Sequence, residues 1–320
     1  MASVDNRQDA AGQLMADWGG VSVSFTWFGV RKALSADQKA EAADHFDADA
    51  KFLSAAKKLL DTKHDAYRAV SAAKREIVDF WKGNTLPYPE PGIRIIRQDR
   101  IEDFVATMQE LRQKLLDAVR GLDNVYSGLR HAARQRLGSL YNSSDYPPTL
   151  VGLFGVEWDF PSLQPPQYLM MSANLYAECS ARVAARFEQA VTMAEDVFIG
   201  ELASLVQTLQ DKLAGKVDGV TKRLHDVNVD AMREFFEKFR RLNIHSSEAL
   251  DGIVEQAEKA LTLNGLFDLG GVSADQLRES PSLRQAVATK LSAVSAQLDG
   301  LMVNRPRRAI NRRSKAVDGE

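Results

Sequence analysis

Between Ile101 and Ala132 the apolar residues fall on a heptad grid, with Ile101, Met108, Leu115, Leu122 and Leu129 on one position and Phe104, Leu111, Ala118, Val125 and Ala132 on the other. A repeat of 3.5 residues keeps one stripe of a long helix facing a partner helix, so the segment is written for helix-on-helix packing. The expected partner lies upstream. Ser35, with Gln38 three residues on, reads as a capping box opening a helix predicted to reach about Trp81, with Phe46, Leu53, Ala56, Leu60, Tyr67, Val70 and Ile77 on its apolar face. Between the two helices, the stretch from Gly83 to Gly92 carries Pro87, Pro89 and Pro91, which remove backbone donors and restrict the residues before them. The chain must turn there, which predicts an antiparallel, coiled-coil-like hairpin. At ~1.5 Å rise per residue, helices of about forty residues reach on the order of 60 Å, so an elongated, mainly α architecture is expected.

A minor sheet is predicted beside the helices. Val21, Val23, Phe25 and Trp27 alternate with Ser22, Ser24 and Thr26, the period of a half-buried strand, and Gly29 ends it. Ile93 to Arg97 offers a short strand to pair with it, and Val156, Trp158 and Phe160 alternate with Glu157 and Asp159 as a third. The stretch 138–168 is the least helical, with Pro147, Pro148, Pro161, Pro165 and Pro166 among Tyr141, Tyr146, Phe154, Trp158 and Phe160, and Tyr168 at its end. It reads equally as a recognition loop and as a cap on the open end of the helices.

Further helices are expected from about Gln167 to Lys212, from Asp230 to Leu242, from Glu248 to Leu261 and from Pro281 to Met302, the last capped by Ser280. Gly215 and Gly219 weaken the first of these. The expected organisation is a flexible N-terminal arm (1–19), a long-helix body (20–215), a small helical C-terminal lobe (216–303) and a disordered basic tail (304–320). The tail holds Arg305, Arg307, Arg308, Arg312, Arg313 and Lys315.

With 45% hydrophobic and 26% charged residues in 320, the chain can bury a core, and its net charge of -2 gives no general attraction to nucleic acid or anionic membranes. Contact with nucleic acid is expected only through the basic tail. The start lacks a basic flank followed by an apolar run, and no stretch nears the ~18 to 20 apolar residues of a membrane helix, so a cytoplasmic protein is expected. A single cysteine, Cys179, forms no internal disulfide and agrees with a reducing compartment.

The chemistry-bearing residues do not assemble into a signature. His45, His64, His131, His225 and His245 are spread singly, without two at helical ligand spacing, so neither a metal nor another cofactor is expected. Cys179 sits inside a predicted helix and reads as a structural thiol. Glu157 and Asp159 share one face of an extended segment, an arrangement that can do acid and base work but also the ordinary solvated face of a strand. Phe235, Phe236 and Phe239 are either helical anchors for a partner groove or packing onto a neighbouring helix. The residues singled out as an interaction surface are Tyr146, Trp158, Tyr168, Phe235 and Phe239.

Three patterns carry a resemblance: Val-Ser-Val-Ser-Phe-Thr-Trp-Phe-Gly-Val-Arg-Lys-Ala-Leu-Ser at 21–35, the connector from Leu86-Pro87 to Ile96, and the step from Phe160-Pro161 to Tyr168. Over about residues 20–210 the chain resembles a bacterial and phage family of unknown function whose members are often encoded beside a MoxR-type AAA+ ATPase and a von Willebrand factor A protein. The patterns are residue types without a catalytic signature, and no functional residues carry over. The resemblance implies a phage- or plasmid-encoded helical accessory protein acting with an ATPase. The expected function is therefore a non-enzymatic scaffold or adaptor working through protein contacts. The alternatives are a virion or other homo-oligomeric assembly component, and an enzyme using Glu157 and Asp159.

Overall fold

The computed structural model describes residues 2–214, 216–217, 220–221, 224–262 and 274–303. The basic tail, Gly215 and Gly219 lie outside the described residues. The chain is mainly α with a small antiparallel sheet, and it divides into two compact units: residues 13–186, and residues 1–12 together with 187–320. The division falls inside one long helix, at Arg186 and Phe187, and not at residue 215.

The first unit is organised by a four-stranded antiparallel sheet. Strand β1 (Trp18–Trp27) pairs on one side with β5 (Ile93–Arg97) and on the other with β6 (Phe154–Asp159), while β4 (Leu86–Pro87) borders β5, giving the order β4-β5-β1-β6. The alternation in the sequence sorts the two faces. Phe25 opposes Val156, Val23 opposes Trp158 and Trp27 opposes Phe154, so these apolar side chains share one face with Val21 and Ile96 and pack into the core. Ser22, Ser24, Glu157 and Asp159 lie on the other face.

Two helices cover the apolar face. Helix α3 (Asp65–Gly83) and helix α4 (Ile101–Leu137) run antiparallel, since Phe80 stacks on Phe104 at 5.4 Å while Glu76 meets Lys114 at 2.7 Å further along. The hairpin turn comes where the prolines require it. The seam, however, is not a sustained heptad. The buried residues of α4 are Phe104, Met108, Leu111, Leu115, Val119, Leu122, Tyr126, Leu129 and Ala133, an average step of about 3.6 residues, the period of a straight helix. After Leu115 the stripe moves one position on, so Val119 and Tyr126 replace Ala118 and Val125, and Val125 is exposed. The partner explains the drift: α3 is only 19 residues long, and the far half of α4 packs against β6 and the loops around Leu59 and Tyr146.

The helix expected from Ser35 to Trp81 is broken. The capping box forms, with the Gln38 N–H donating to Ser35 Oγ at 3.2 Å and the Ser35 N–H to Gln38 Oε1 at 3.1 Å, but helix α2 ends after Ala36–Asp44. Short polar side chains then take over the backbone. Asp47 adopts a positive φ of 49°, the Asp49 carboxylate accepts the Lys51 N–H, the Asp61 carboxylate accepts the Lys63 N–H, and His64 Nδ1 accepts the Ala66 N–H to open α3. Such local acceptors compete with helical hydrogen bonding. In the gap, β3 (Ala56–Lys58) pairs with β2 (Arg31–Ala33) as a two-stranded ribbon. Phe46, expected on an apolar helix face, is exposed, as is Phe52.

The segment expected as a loose arm is helical over Ala2–Asp17 (α1), with Ala10, Ala11 and Leu14 buried. Trp18 then starts β1, and Gly20 within it meets the loop after β6: a Cβ there would lie 2.6 Å from the Pro161 carbonyl oxygen. Gly20→Ala should therefore cost about 1–3 kcal/mol through overpacking against rigid backbone. Gly19→Ala, which meets nothing within 4 Å, should shift the thermal midpoint far less, and equal shifts for the two would refute this account.

The second unit is built on the distal part of helix α5 (Ala173–Leu213). A backbone ribbon of β7 (Lys216–Val217) and β8 (Val220–Thr221) follows, and then helices α6 (Asp226–Leu242), α7 (Glu248–Ala260), α8 (Ala274–Glu279) and α9 (Pro281–Val303). Ser280 Oγ accepts the Leu283 N–H at 3.3 Å, the expected cap of α9. Phe198 of α5 meets the Phe239 ring at 5.0 Å and the Phe235 ring at 6.4 Å, both edge-on, which closes the α5/α6 interface. Buried Glu195 ties in helix α1 and the connection between α6 and α7, taking Arg7 Nη2 at 3.0 Å and the Ser246 hydroxyl at 2.8 Å.

Candidate interaction surfaces

The insert at 138–168 is two structures in succession. Gly138 leaves α4 with φ of +50°, a conformation that disfavours a side chain, and the chain folds back through turns at Gly138–Leu140 and Ser143–Asp145. Tyr141 stacks on Tyr146 at 5.0 Å, and the Tyr146 hydroxyl donates to the Leu59 carbonyl at 3.1 Å. Tyr146 is buried, so this half is a cap over the end of α4 and the ribbon. Burial, the largest influence, pushes the Tyr146 phenol above its usual range, and pushes the neighbouring Tyr126 up to about 12; both phenols stay neutral at ordinary pH.

Asp145 locks the cap in place. Its buried carboxylate bonds Lys32 of β2 and lies 2.7 Å from Lys57 of β3, while Lys57, itself buried, also donates to the Leu140 carbonyl at 2.7 Å. Burial alone would raise the Asp145 carboxyl, but the hydrogen bonds and charges of the two ammonium groups outweigh it and hold the group below the usual carboxylate range. One side chain thus joins both strands of the ribbon to the returning loop.

The second half of the insert, after β6, faces water. Trp158 is half-buried against the core, but Tyr168 is 73% exposed, Met170 60%, Met171 96% and Leu175 52%. Of the five residues singled out from the sequence, only Tyr168 presents its full side chain to solvent. Phe235 and Phe239 are core residues of the second unit. Met170, Met171 and Leu175 were not singled out; the signal was the unbroken apolar run Tyr168-Leu-Met-Met behind Pro165 and Pro166, with neither helical nor strand periodicity to bury it.

Glu157 and Asp159 stand on the exposed face of β6 opposite Ser24 and Ser22, and the Asp159 carboxylate accepts the Phe160 N–H at 2.8 Å. Cys179 is half-buried on α5. His64 serves as a helix cap. Among the described residues no group of three or more His, Cys, Asp or Glu is disposed to hold a metal ion, and no helix is long and apolar enough to cross a membrane.

A polar groove of about 850 Å³ opens where the insert folds back on α4. Ser127, Arg130, His131 and Arg134 line it from one helical face, Tyr141 and Asn142 from the returning loop.

No family model matches the chain, and neither does any curated protein or solved structure.

Proposed function

We propose that the protein is a helical scaffold or adaptor that acts by binding another protein, and that residues 168–175 are its contact segment. The exposure of Tyr168, Met170, Met171 and Leu175 within one turn and the first residues of α5 supports this reading. Large apolar side chains grouped in water are costly unless a partner covers them, and methionine adapts its shape to a partner surface at little strain. The prolines before the segment fix its approach without supplying backbone donors of their own. The ATPase-associated resemblance suggests an AAA+ ATPase as that partner, in a phage- or plasmid-encoded system.

The test is affinity capture from the native cell, with cross-linking and mass spectrometry, comparing the natural chain with a Met170→Glu/Met171→Glu variant. Because both side chains are exposed, the variant should keep its melting temperature and lose the captured ATPase about tenfold or more, the cost of placing charge in an apolar contact. An unchanged set of captured proteins would overturn the assignment of the segment. A change in the chain's own assembled mass in light scattering would move the function to a homo-oligomeric assembly.

A further inference from the structure

We propose that the groove between α4 and the returning loop is a binding site for the phosphate group of a small organic phosphate. Its floor is a single helical face: Arg130 and His131 stand three and four residues after Ser127, and Arg134 stands four and three after them, which brings the side chains to the same side of α4. Gly138 reverses the chain so that Tyr141 and Asn142 form the opposite wall.

The wall is rich in donors and carries a net positive charge. None of the described residues that line it is Asp or Glu, and among the described residues neither Arg130 nor Arg134 makes an ion pair with a carboxylate. Two other arginines of α4 are paired: Arg120 with Asp117, and Arg136 with Asp61. Asn142 spends its Oδ1 on the Ser144 N–H and hydroxyl, at 3.0 and 2.8 Å, which leaves its amide nitrogen available as a donor. Two guanidinium groups, an amide and a hydroxyl converging on one concavity match an oxyanion with several acceptor oxygens, because guanidinium binds phosphate through paired, charge-assisted hydrogen bonds. Arginines near a helix C-terminus also offset the helix dipole, but that role needs only the last turn, which Arg134 and Arg136 already supply. Arg130 lies a turn earlier and gains nothing from it. The volume is that of a site for a small organic molecule and exceeds what a lone ion needs.

The experiment is calorimetric titration of the full chain with inorganic phosphate, pyrophosphate, ATP and adenosine at low salt. Saturable binding of ATP or pyrophosphate, weakened by added salt, with no binding of adenosine, is expected. Arg130→Gln/Arg134→Gln should weaken it about a hundredfold, since each lost charged hydrogen bond costs about tenfold, whereas Arg68→Gln on α3 should change nothing. Phosphate binding as tightly as ATP would name the free ion as the ligand; ATP binding more tightly would name the organic phosphate. Protection of amides 127–143 from hydrogen exchange on adding pyrophosphate to the natural chain locates the site without any variant. Absence of binding at millimolar ligand, or identical affinity in the double variant, would overturn the proposal.

Discussion

Asp145→Asn should destabilise the first unit by about 3 kcal/mol or more and lower its melting temperature by roughly 10 °C, because it leaves the buried Lys57 ammonium without a counter-charge. The side chain keeps its shape, so the loss reports charge and not packing. Lys32 is half exposed and turns to water at small cost; Lys57 is enclosed and cannot. A compensated variant, Asp145→Leu with Lys57→Met, should recover most of the stability, as apolar replacements of buried ion pairs do. Acid supplies an independent reading. The carboxyl is held below its usual range in the folded chain, so its contribution is complete above the unfolded value of about 3.9 and disappears as pH falls through the lower folded value. The gap between the natural chain and Asp145→Asn should therefore be constant at neutral pH and close only below about pH 4. Chemical denaturation at pH 7, 5 and 3 measures it, and a gap that closes between pH 7 and 5 would contradict the assignment.

Phe235→Ala should cost about 3–5 kcal/mol in the second unit, the range for emptying a buried aromatic site. Phe235 is 1% exposed and touches three rings: Phe236 at 5.8 Å, Phe239 at 6.1 Å and Phe198 at 6.4 Å. The cavity would open between α5 and α6, which Lys238 and Glu201 also join at 2.6 Å. If the ring were instead a docking anchor, the substitution would spare the melting curve and reduce partner capture. Hydrogen exchange resolved to α5 and α6 separates the outcomes: the substitution should accelerate exchange in both helices and leave α3 and α4 unaffected.

The strands were legible because alternation is a local code: Val21 to Trp27 and Val156 with Trp158 show their buried face in the order of the residues. The turn at Gly83–Gly92 and the caps at Ser35 and Ser280 were legible for the same reason, each being a contact within a few residues. What failed depended on distant neighbours. Nothing near Val119 or Tyr126 announces that α3 stops short and the stripe of α4 must shift to meet β6. The break after Asp44 rests on the positive φ of Asp47 and on Asp49, Asp61 and His64 each serving the backbone, an effect no apolar count detects. The candidate site divided along the same line. Tyr146 and Phe235 are interior because other elements close over them, and Met170 and Met171 are exposed because, among the described residues, none does.

Strand β1 is hydrogen-bonded along both edges, to β5 over Trp18–Ser22 and to β6 over Ser22–Trp27. During synthesis the half of β1 beyond Ser22 must wait until residues up to Asp159 have left the ribosome, a delay of roughly ten seconds or more at ordinary elongation rates. Throughout that interval Phe25 and Trp27 lie on a strand edge with open hydrogen-bonding groups, the feature that most invites pairing between chains. Phe25 and Trp27 have an early guard, however: the Lys74 ammonium of α3 sits 4.8 Å over the one ring and 4.1 Å over the other, and α3 is complete long before β6 arrives.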